Sequence, residues 1–414
     1  MLADVSFDPN DPAFVADPYP AYARVQEATA VWHPPGHHLW YLTRYADVHA
    51  AFRDRRLGTN FLHRFTPEEL GLAPGIPVWR DPRWEDFATF ERWELLNLEP
   101  PVHTRLRRLV MEAFTPRTVE GMRTSIQERA RALLQPGRDA GSIDLVEAYA
   151  QHFSIGIICD LIGVVPSDRE TIKRLSDDTI RMYEPAPSVE QQARSNAAAG
   201  DFRRYLLDVV AARRRRPASD LLSALIDADV EGERLTDDQI VSTAMVLLMA
   251  GHEATVNATT NGIAALAAHP DQWQRIRSGS VSPRTAIEEV LRYDPPLQWF
   301  GRWVLDDGFE VDGMPVPRGA RVALVLAAAN RDPRKYDHPD RFDIGRADSS
   351  HLSLGGGIHF CIGAPLARLE LETTLTELAR SEPELVVVEP PIRRSTFQFR
   401  GYERLVVAIS GASG

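Results

Sequence analysis

The spacing of hydrophobic and polar positions changes along this chain, and the change predicts where helices and strands lie. From His103 to about Ser278, apolar residues recur every three or four positions, the spacing of amphipathic helices. Nearer both ends, short runs alternate between apolar and polar residues, as half-buried strands do. Because helices cluster in the middle and strands gather at the ends, the pattern predicts a mainly α-helical α+β fold and argues against an alternating parallel sheet.

The N-terminal part combines a clear strand and helix with a long irregular stretch. Leu39 to Thr43 is predicted to be a strand, and Tyr45 to Phe52 the helix after it. From Asn60 to Pro101 no period holds, so we predict an irregular segment of the kind that usually forms a lid or a binding loop. Its aromatic residues are Phe61, Phe65, Trp79, Trp84, Phe87, Phe90 and Trp93.

One helix is predicted to be much longer than the others. Residues 236–239, Thr-Asp-Asp-Gln, form a capping box, and the helical pattern then continues to about Ala268. Some thirty residues at ~1.5 Å each would span about 45–50 Å. Gly251, His252 and Glu253 interrupt the apolar middle, where a charge is costly unless it is paired or used in chemistry.

The C-terminal part is predicted to contain further helices, strands and a polar meander. The expected elements are a helix from Pro283 to Tyr293, strands near 301–305, 309–311 and 321–326, a meander from Asn330 to Arg346, and a hairpin within Leu385 to Ile409.

Composition and charge narrow the class of protein. The 414 residues show no linker, repeat or low-complexity tract, so we expect a single domain over residues 1–414. Two distant cysteines, Cys159 and Cys361, fit a reducing compartment. We find no signal peptide and no apolar stretch of about 18 residues, so we expect a cytoplasmic protein without a membrane partner. The net charge of −11 argues against nucleic-acid binding. We also expect a monomer.

The strongest chemical signal is residues 354–363, Leu-Gly-Gly-Gly-Ile-His-Phe-Cys-Ile-Gly. Glycines permit positive φ and a close approach to a flat partner. The helix expected from Gly363 to Arg380 would aim its free N–H groups at the Cys361 sulfur, which favours the thiolate. A thiolate held in this way is what a haem iron needs from an axial cysteine. The plain alternative is a buried cysteine beside a glycine turn.

Four motifs in this order resemble those of the cytochrome P450 family. The cysteine loop resembles the family signature Phe-Gly-x-Gly-x-His-x-Cys-x-Gly, and Glu289-x-x-Arg292 resembles its Glu-x-x-Arg. Residues 250–255, Ala-Gly-His-Glu-Ala-Thr, resemble its oxygen-binding groove, and residues 103–107, His-Thr-Arg-Leu-Arg, the helix that reaches the haem propionates. The resemblance covers nearly the whole chain, is strongest to soluble bacterial members, and implies a P450 fold with a long central helix and small β-sheets.

The resemblance implies a haem b cofactor and residues that hold it. Cys361 would be the proximal iron ligand, and His103, Arg107, Arg302 and His359 would bind the propionates, which need cationic donors. For each of these four, an ordinary surface charge is the alternative. The assignment of Arg302 also depends on strand register.

Glu289 and Arg292 are expected to form a buried structural pair without a catalytic part. Their i,i+3 spacing puts both side chains on one face of a helix. By the resemblance, an arginine of the meander completes this pair, and Arg341 and Arg346 both compete for that role.

The resemblance also implies oxygen activation on a hydrophobic small molecule. Ala250 and Gly251 would make room for O2, and Glu253 would relay protons through water. The alternative for Glu253 is a structural charge paired with a basic group. The residues expected to contact substrate are Leu247, Ala254, Leu297, Phe300 and Phe397.

Two positions depart from the family pattern. Ala254 stands where threonine is usual, and Thr255 is rotated from it by about 100° on a helix, so it should not face the haem. An ordered water or a substrate hydroxyl would then steer the proton, or the chemistry is not ordinary monooxygenation. Leu354 stands where phenylalanine is usual, which predicts a changed reduction potential.

Three function classes remain open from the sequence. The first is a monooxygenase that hydroxylates, epoxidises or dealkylates a hydrophobic molecule. Because no reductase segment is fused, its electrons would come from a separate ferredoxin or flavodoxin, and Arg105, Arg108 and Arg368 could offer that partner a basic patch. The second is a peroxygenase, coupling enzyme or isomerase, supported by Ala254. The third is a haem protein without catalysis, such as a gas or redox sensor.

Overall fold

The computed structural model describes residues 7–8, 11–34, 39–72, 81–183 and 187–410. Helices make up 56% of the chain and the sheets are small, which confirms the mainly α-helical α+β prediction. The chain divides into two compact units. The first unit comprises residues 1–57, 122–154 and 253–414, and the second comprises residues 58–121 and 155–252.

The helices are numbered in chain order. They are α1 (Pro12–Ala16), α2 (Tyr19–Ala28), α3 (Tyr45–Ala51), α4 (Glu85–Glu91), α5 (Val102–Ala113), α6 (Pro116–Gly121), α7 (Arg123–Ala140), α8 (Gln151–Ile162), α9 (Arg169–Ile180), α10 (Val189–Arg215), α11 (Leu221–Asp227), α12 (Asp237–Ala268), α13 (Pro270–Arg277), α14 (Pro283–Tyr293), α15 (Leu326–Ala329) and α16 (Ala364–Ser381).

The strands are short, and most belong to the first unit. They are β1 (Val31–Trp32), β2 (Leu39–Leu42), β3 (Leu57–Gly58), β4 (Ser142–Asp144), β5 (Asp229–Val230), β6 (Glu233–Arg234), β7 (Trp299–Val304), β8 (Glu310–Val311), β9 (Met314–Pro315), β10 (Arg321–Val325), β11 (Ile392–Arg393), β12 (Tyr402–Arg404) and β13 (Val406–Ala408).

One five-stranded sheet organises the first unit. Its order is β1-β2-β10-β7-β3, in which β2 and β10 run parallel and β10 and β7 antiparallel. Side chains alternate along β10, so Val322 and Leu324 enter one hydrophobic cluster while Ala323 and Val325 enter the other. The sheet is therefore covered by apolar side chains on both faces.

The second unit is helical and centres on α10. A capping box starts this helix, because Ser188 Oγ accepts from the backbone N–H of Gln191 while the Gln191 side chain accepts from that of Ser188. Helix α10 packs against α4, α9 and α11, and buries Phe202 and Leu206.

Several predicted elements have the bounds that local signals gave them. The capping box before α12 is present, since Thr236 Oγ1 accepts from the Gln239 backbone N–H at 3.3 Å and Gln239 Oε1 accepts from the Thr236 N–H at 3.1 Å. Helix α12 then runs for 32 residues, and α14 spans the predicted Pro283–Tyr293. Residues 330–346 follow α15 and contain no helix or strand, as the predicted meander requires.

Two structural predictions need correction. The segment from Asn60 to Pro101 is not wholly irregular, because its residues 85–91 form α4; Trp79 lies outside the described residues. The C-terminal hairpin is only partial. β11 pairs with β12 as predicted, but β13 pairs with β4, more than two hundred residues earlier in the chain.

The expectation about apolar stretches is also wrong. Leu145–Ile162 is long and apolar enough, by length and composition, to cross a membrane. Its mean hydropathy is 1.2, and 72% of it is buried inside the structure. A core helix of a soluble protein passes the same test, so this one segment is weak evidence for a membrane span.

Candidate functional site

The Cys361 loop is a tight turn that leads into α16. The Cys361 backbone N–H donates to Leu354 O at 2.9 Å, which closes the loop, and Gly355 and Gly357 take positive φ values of 70° and 64°. Helix α16 begins at Ala364, one residue after the predicted Gly363, which is its N-cap. A Cβ on Gly363 would lie 3.8 Å from Cys361 Sγ, so the sulfur sits beside the free N–H groups of the first turn. This placement favours a thiolate.

Phe52, at the end of α3, supports the loop. A Cβ on Gly357 would lie 2.0 Å from the Phe52 carbonyl oxygen, and one on Gly356 would lie 3.0 Å from Phe52 Cβ. These glycines are therefore needed for close contact as well as for backbone freedom. Sequence reasoning missed Phe52, because the loop glycines do not reveal what they approach.

Two predicted site residues share a face of β7 near this loop. Phe300 lies edge-on to Phe52, and the Arg302 guanidinium lies 5.4 Å from the centre of the same ring. Arg302 is buried, and its Nη1 donates to Gly301 O at 2.8 Å. His359 ends a 3₁₀ turn two residues before Cys361 and is half-buried. The first unit thus brings Phe300 and Arg302 to the Cys361 loop through Phe52.

The other two predicted propionate ligands lie on α5, in the second unit. His103 is buried and Arg107 is half-buried. Their i,i+4 spacing puts both side chains on one face of the helix.

Helix α12 carries an accessible stripe of small and apolar residues. Leu247, Ala250, Gly251 and Ala254 are accessible, whereas Leu248, Met249, His252 and Thr255 are buried. The accessible positions follow the i, i+3, i+4, i+7 spacing, so they share one face. Thr255 lies outside this face, as its one-residue offset predicted.

Glu253 lies beside that stripe and is paired with a cation. Its Oε1 accepts from Arg394 Nη1 at 2.5 Å, and its side chain is only 13% exposed. Asn257, one turn later on α12, also faces Arg394, with Oδ1 3.4 Å from Nη1. The paired-charge alternative for Glu253 is therefore present in the structure.

Glu289 and Arg292 form the expected buried pair, with Arg292 Nε 2.6 Å from Glu289 Oε2 and neither side chain exposed. Arg346 is the third member, because its Nε lies 3.3 Å from Glu289 Oε2, while Arg341 contributes only its carbonyl oxygen. The two arginines otherwise bind main-chain oxygens of the meander. Arg292 donates to Asn330 O, Pro339 O and Arg341 O, and Arg346 to Asp337 O, His338 O and Arg341 O.

A family model described as Cytochrome P450 matches residues 77–280 and 284–381 of this chain. The chain belongs to the cytochrome P450 family. Among curated relatives, this P450 is 35% identical to vitamin D(3) 25-hydroxylase of Pseudonocardia autotrophica, over 97% of this chain and 96% of that one. It is 34% identical to 6-deoxyerythronolide B hydroxylase of Saccharopolyspora erythraea, over 96% and 98% of the two chains.

A solved structure shows the same fold. The structure of P450BioI in complex with an acyl carrier protein ligated to hexadec-9Z-enoic acid matches with a TM-score of 0.88 and 31% identity, over 96% of this chain and 99% of that one. The protein is thus a P450 monooxygenase of the soluble bacterial type, with haem b as cofactor and with a small-molecule substrate, O2 and a redox partner.

The residues present in this P450 fit haem. Cys361 offers sulfur beside a helix N-terminus, which is a suitable axial ligand. Gly355, Gly356 and Gly357 keep the backbone beside it free of Cβ atoms. On α12, the accessible stripe includes the small residues Ala250 and Gly251.

Two expectations for this P450 gain no support from the structure. Phe397 packs in the core against Phe7 and Phe14, and packing alone accounts for it there. The predicted basic patch is largely neutralised, because each arginine faces a carboxylate. The pairs are Arg105 with Glu233, Arg108 with Glu231, and Arg368 with Glu288. The Cys361 sulfur nevertheless contributes, after Glu288, to raising the pKa of Arg368.

Proposed function

We propose that this P450 hydroxylates an apolar small molecule, with Cys361 as the thiolate that holds the haem iron. The observation that carries the proposal is the glycine loop that sets the Cys361 sulfur beside the first turn of α16. Haem bound by a thiolate supplies oxygen activation, because the sulfur donates electron density that favours O–O cleavage. Two relatives are named for hydroxylation, of vitamin D(3) and of 6-deoxyerythronolide B.

We assign the remaining site residues by their chemistry. His103, Arg107, Arg302 and His359 donate hydrogen bonds to the two propionates, for which cationic donors in a buried setting are well suited. Ala250 and Gly251 leave space for O2 beside α12. Leu247, Ala254, Leu297 and Phe300 contact the substrate; the first two lie on the accessible stripe, and the other two are half-buried.

The source of electrons distinguishes the proposed monooxygenase from the alternative, a peroxygenase. We propose that a separate ferredoxin or flavodoxin delivers electrons in the cytoplasm to a monomeric, single-domain enzyme. Turnover of an apolar substrate with ferredoxin, its reductase and NAD(P)H is the expected result. Turnover with hydrogen peroxide but not with ferredoxin would instead select the peroxygenase, which the alanine at position 254 favours.

Proton delivery is proposed to run through Glu253, helped by a hydroxyl of the substrate. Glu253 is the carboxylate next to the accessible stripe, and a carboxylate can hold and release a proton through water. Threonine would supply a hydroxyl on the stripe itself, but here that position is Ala254 and Thr255 is buried. The substrate would therefore have to bring the missing hydroxyl.

Ala254→Thr is expected to help substrates that lack such a hydroxyl. The new hydroxyl would lie on the accessible stripe, where it can hold a water and steer a proton. Product formed per NAD(P)H consumed should rise by about tenfold for a substrate without the hydroxyl, a fraction of what acid–base groups contribute. A matched substrate with the hydroxyl should gain little. An equal ratio in the wild type and the variant for both substrates would contradict substrate assistance.

A further inference from the structure

The C-terminal hairpin is docked on α12 through Asn257. A Cβ on Gly401 would lie 2.1 Å from Asn257 Oδ1, so the hairpin backbone lies directly on the helix there. Across the hairpin, the Arg394 N–H donates to Gly401 O at 3.1 Å. Together these contacts fix the position from which the Arg394 side chain reaches Glu253.

The Glu253 carboxylate lies between the accessible stripe of α12 and the C-terminal hairpin, and its ion pair with Arg394 is on the hairpin side. Glu253 lies about 100° around α12 from Ala254 and hence from the accessible stripe. Arg394 lies on the hairpin side and contacts both Glu253 and Asn257. A charge-assisted hydrogen bond of this kind is strong, and the guanidinium favours the ionised carboxylate.

We propose that Arg394 is a positioning residue for proton delivery, holding Glu253 ionised and turned toward the hairpin until the relay needs it. This inference rests on the relay role proposed above for Glu253. It adds a residue from a segment 141 positions further along the chain. Loss of Arg394 should therefore change the pH at which Glu253 is protonated and the amount of product formed per NAD(P)H consumed. It should not change the haem ligand.

The test compares Arg394→Gln, Arg394→Lys and Glu253→Gln in the full-length holoenzyme. Isotope-edited infrared spectra, referenced to Glu253→Gln, give the pH at which the Glu253 carboxyl becomes protonated. We expect Arg394→Gln to raise that pH by about one to three units, the usual effect of removing an adjacent opposite charge. Product per NAD(P)H should fall by about tenfold, against ~100-fold for Glu253→Gln. Arg394→Lys keeps the positive charge and should bring both the pH of Glu253 protonation and the product per NAD(P)H most of the way back to the wild-type values.

Arg404→Gln is the matched control, because Arg404 lies on β12 of the same hairpin and pairs with Glu389 in an exposed position. It should leave both readouts unchanged. If Arg394→Gln also leaves both unchanged while Glu253→Gln lowers coupling, the positioning role is overturned and the relay survives. If Glu253→Gln leaves coupling unchanged, the relay itself fails, whatever the infrared result.

A second, independent feature lies in the second unit. Glu91 at the end of α4 and Glu94 just after it are both buried, at 6% and 3% exposure. Asn97 Nδ2 donates to Glu91 Oε2 at 2.7 Å and to Glu94 Oε2 at 2.6 Å. The Tyr183 hydroxyl lies 2.5 Å from Glu91 Oε1 and 3.0 Å from Glu94 Oε2.

Counting hydrogens gives the charge of this cluster. The Asn97 amide has two hydrogens and can serve both acids, but the Tyr183 hydroxyl has only one. One hydrogen cannot make two full-strength bonds, so both carboxyl contacts are strong when one acid carries a proton and donates to the tyrosine oxygen. The geometry therefore favours a proton on one of the two acids. Among the described residues, the main groups acting on each acid are the other acid, Tyr183 and Asn97, without a cation.

We propose that Glu91 and Glu94 share one proton and form a pH-sensitive latch that ties the end of α4 to Tyr183. Burial raises the pKa of both carboxyls. A carboxyl with a raised pKa stabilises the folded segment at low pH, and this stabilisation is lost as pH rises through the raised value. Two unpaired charges would then lie in a buried site, so α4 should separate from Tyr183 in alkaline solution.

Amide hydrogen exchange of residues 85–97 in the full-length holoenzyme tests the latch between pH 5 and 9. After correction for intrinsic rates, protection should fall by up to about tenfold per pH unit while the closed cluster holds a proton that the open segment has released, and it should level off above the raised pKa. Glu94→Gln and Glu91→Gln keep the cluster less charged and should flatten this fall, whereas Glu85→Gln, exposed on α4, should not. The latch is refuted if wild-type protection does not depend on pH, or if both amide variants lose protection at every pH.

Discussion

Replacing Cys361 by serine is expected to abolish the absorption band of the reduced, carbon-monoxide-bound enzyme that gives the family its name. A serine hydroxyl beside the first turn of α16 would remain neutral and could not donate electron density as the thiolate does. Hydroxylation should fall by more than the ~100-fold that changes around metal ligands typically cause.

Cys159 provides the matched control for this substitution. It is a fully buried core residue far from Cys361 in sequence. Cys159→Ser should keep the thiolate band, although burying a hydroxyl should cost about 1–3 kcal/mol of stability. Retention of the band in Cys361→Ser would exclude Cys361 as the ligand, and its loss in a folded Cys159→Ser protein would show that the effect is not specific to Cys361.

Arg292→Met is expected to destabilise the protein by about 3–5 kcal/mol, because it leaves the buried Glu289 carboxylate without its closest partner. Asn330 O and Pro339 O would lose the Arg292 donor at the same time, while Arg341 O would keep its bond from Arg346. Denaturant unfolding followed by helical circular dichroism, together with haem content, measures the loss.

Two further variants distinguish the loss of the buried Glu289–Arg292 pair from effects of neighbouring residues. Arg341→Met changes an exposed side chain whose carbonyl oxygen is the part that Arg292 binds, so its effect should stay within about 0.5 kcal/mol. Glu289→Leu combined with Arg292→Met should recover part of the loss, because the fully buried carboxylate is then gone and Arg346, which loses that partner, keeps its bonds to main-chain oxygens. Equal stability of the wild type and Arg292→Met would mean that the pair does not hold the meander.

Elements with local signals were predictable from the sequence. The capping box set the start of α12, and the proline after the serine cap set that of α14. The pairing of β4 with β13 was not predictable, because three-residue strands carry little pattern and their partners are far apart in the chain. Helix α4 was not predictable for a different reason: it has only seven residues, and helices this short depend on packing, which for α4 is against α10.

The residues of the candidate site also fall into those that the sequence predicted and those that it could not. Cys361, Glu289 and Arg292 belong to compact motifs whose chemistry is visible in a few residues. The partner of Glu253 was not visible, because Arg394 reaches it only after a hairpin docks on the helix. The choice between Arg341 and Arg346 likewise depended on which side chain the meander turns inward.

The way in which Arg292 and Arg346 hold the meander has a consequence for sequence variation. Both guanidinium groups bind carbonyl oxygens, which every residue type possesses. They therefore recognise the path of the backbone and are indifferent to most of the side chains along it. Exposed positions between Asp332 and Arg346 should be open to many substitutions, while an insertion or deletion there would shift the carbonyls away from two fixed cations.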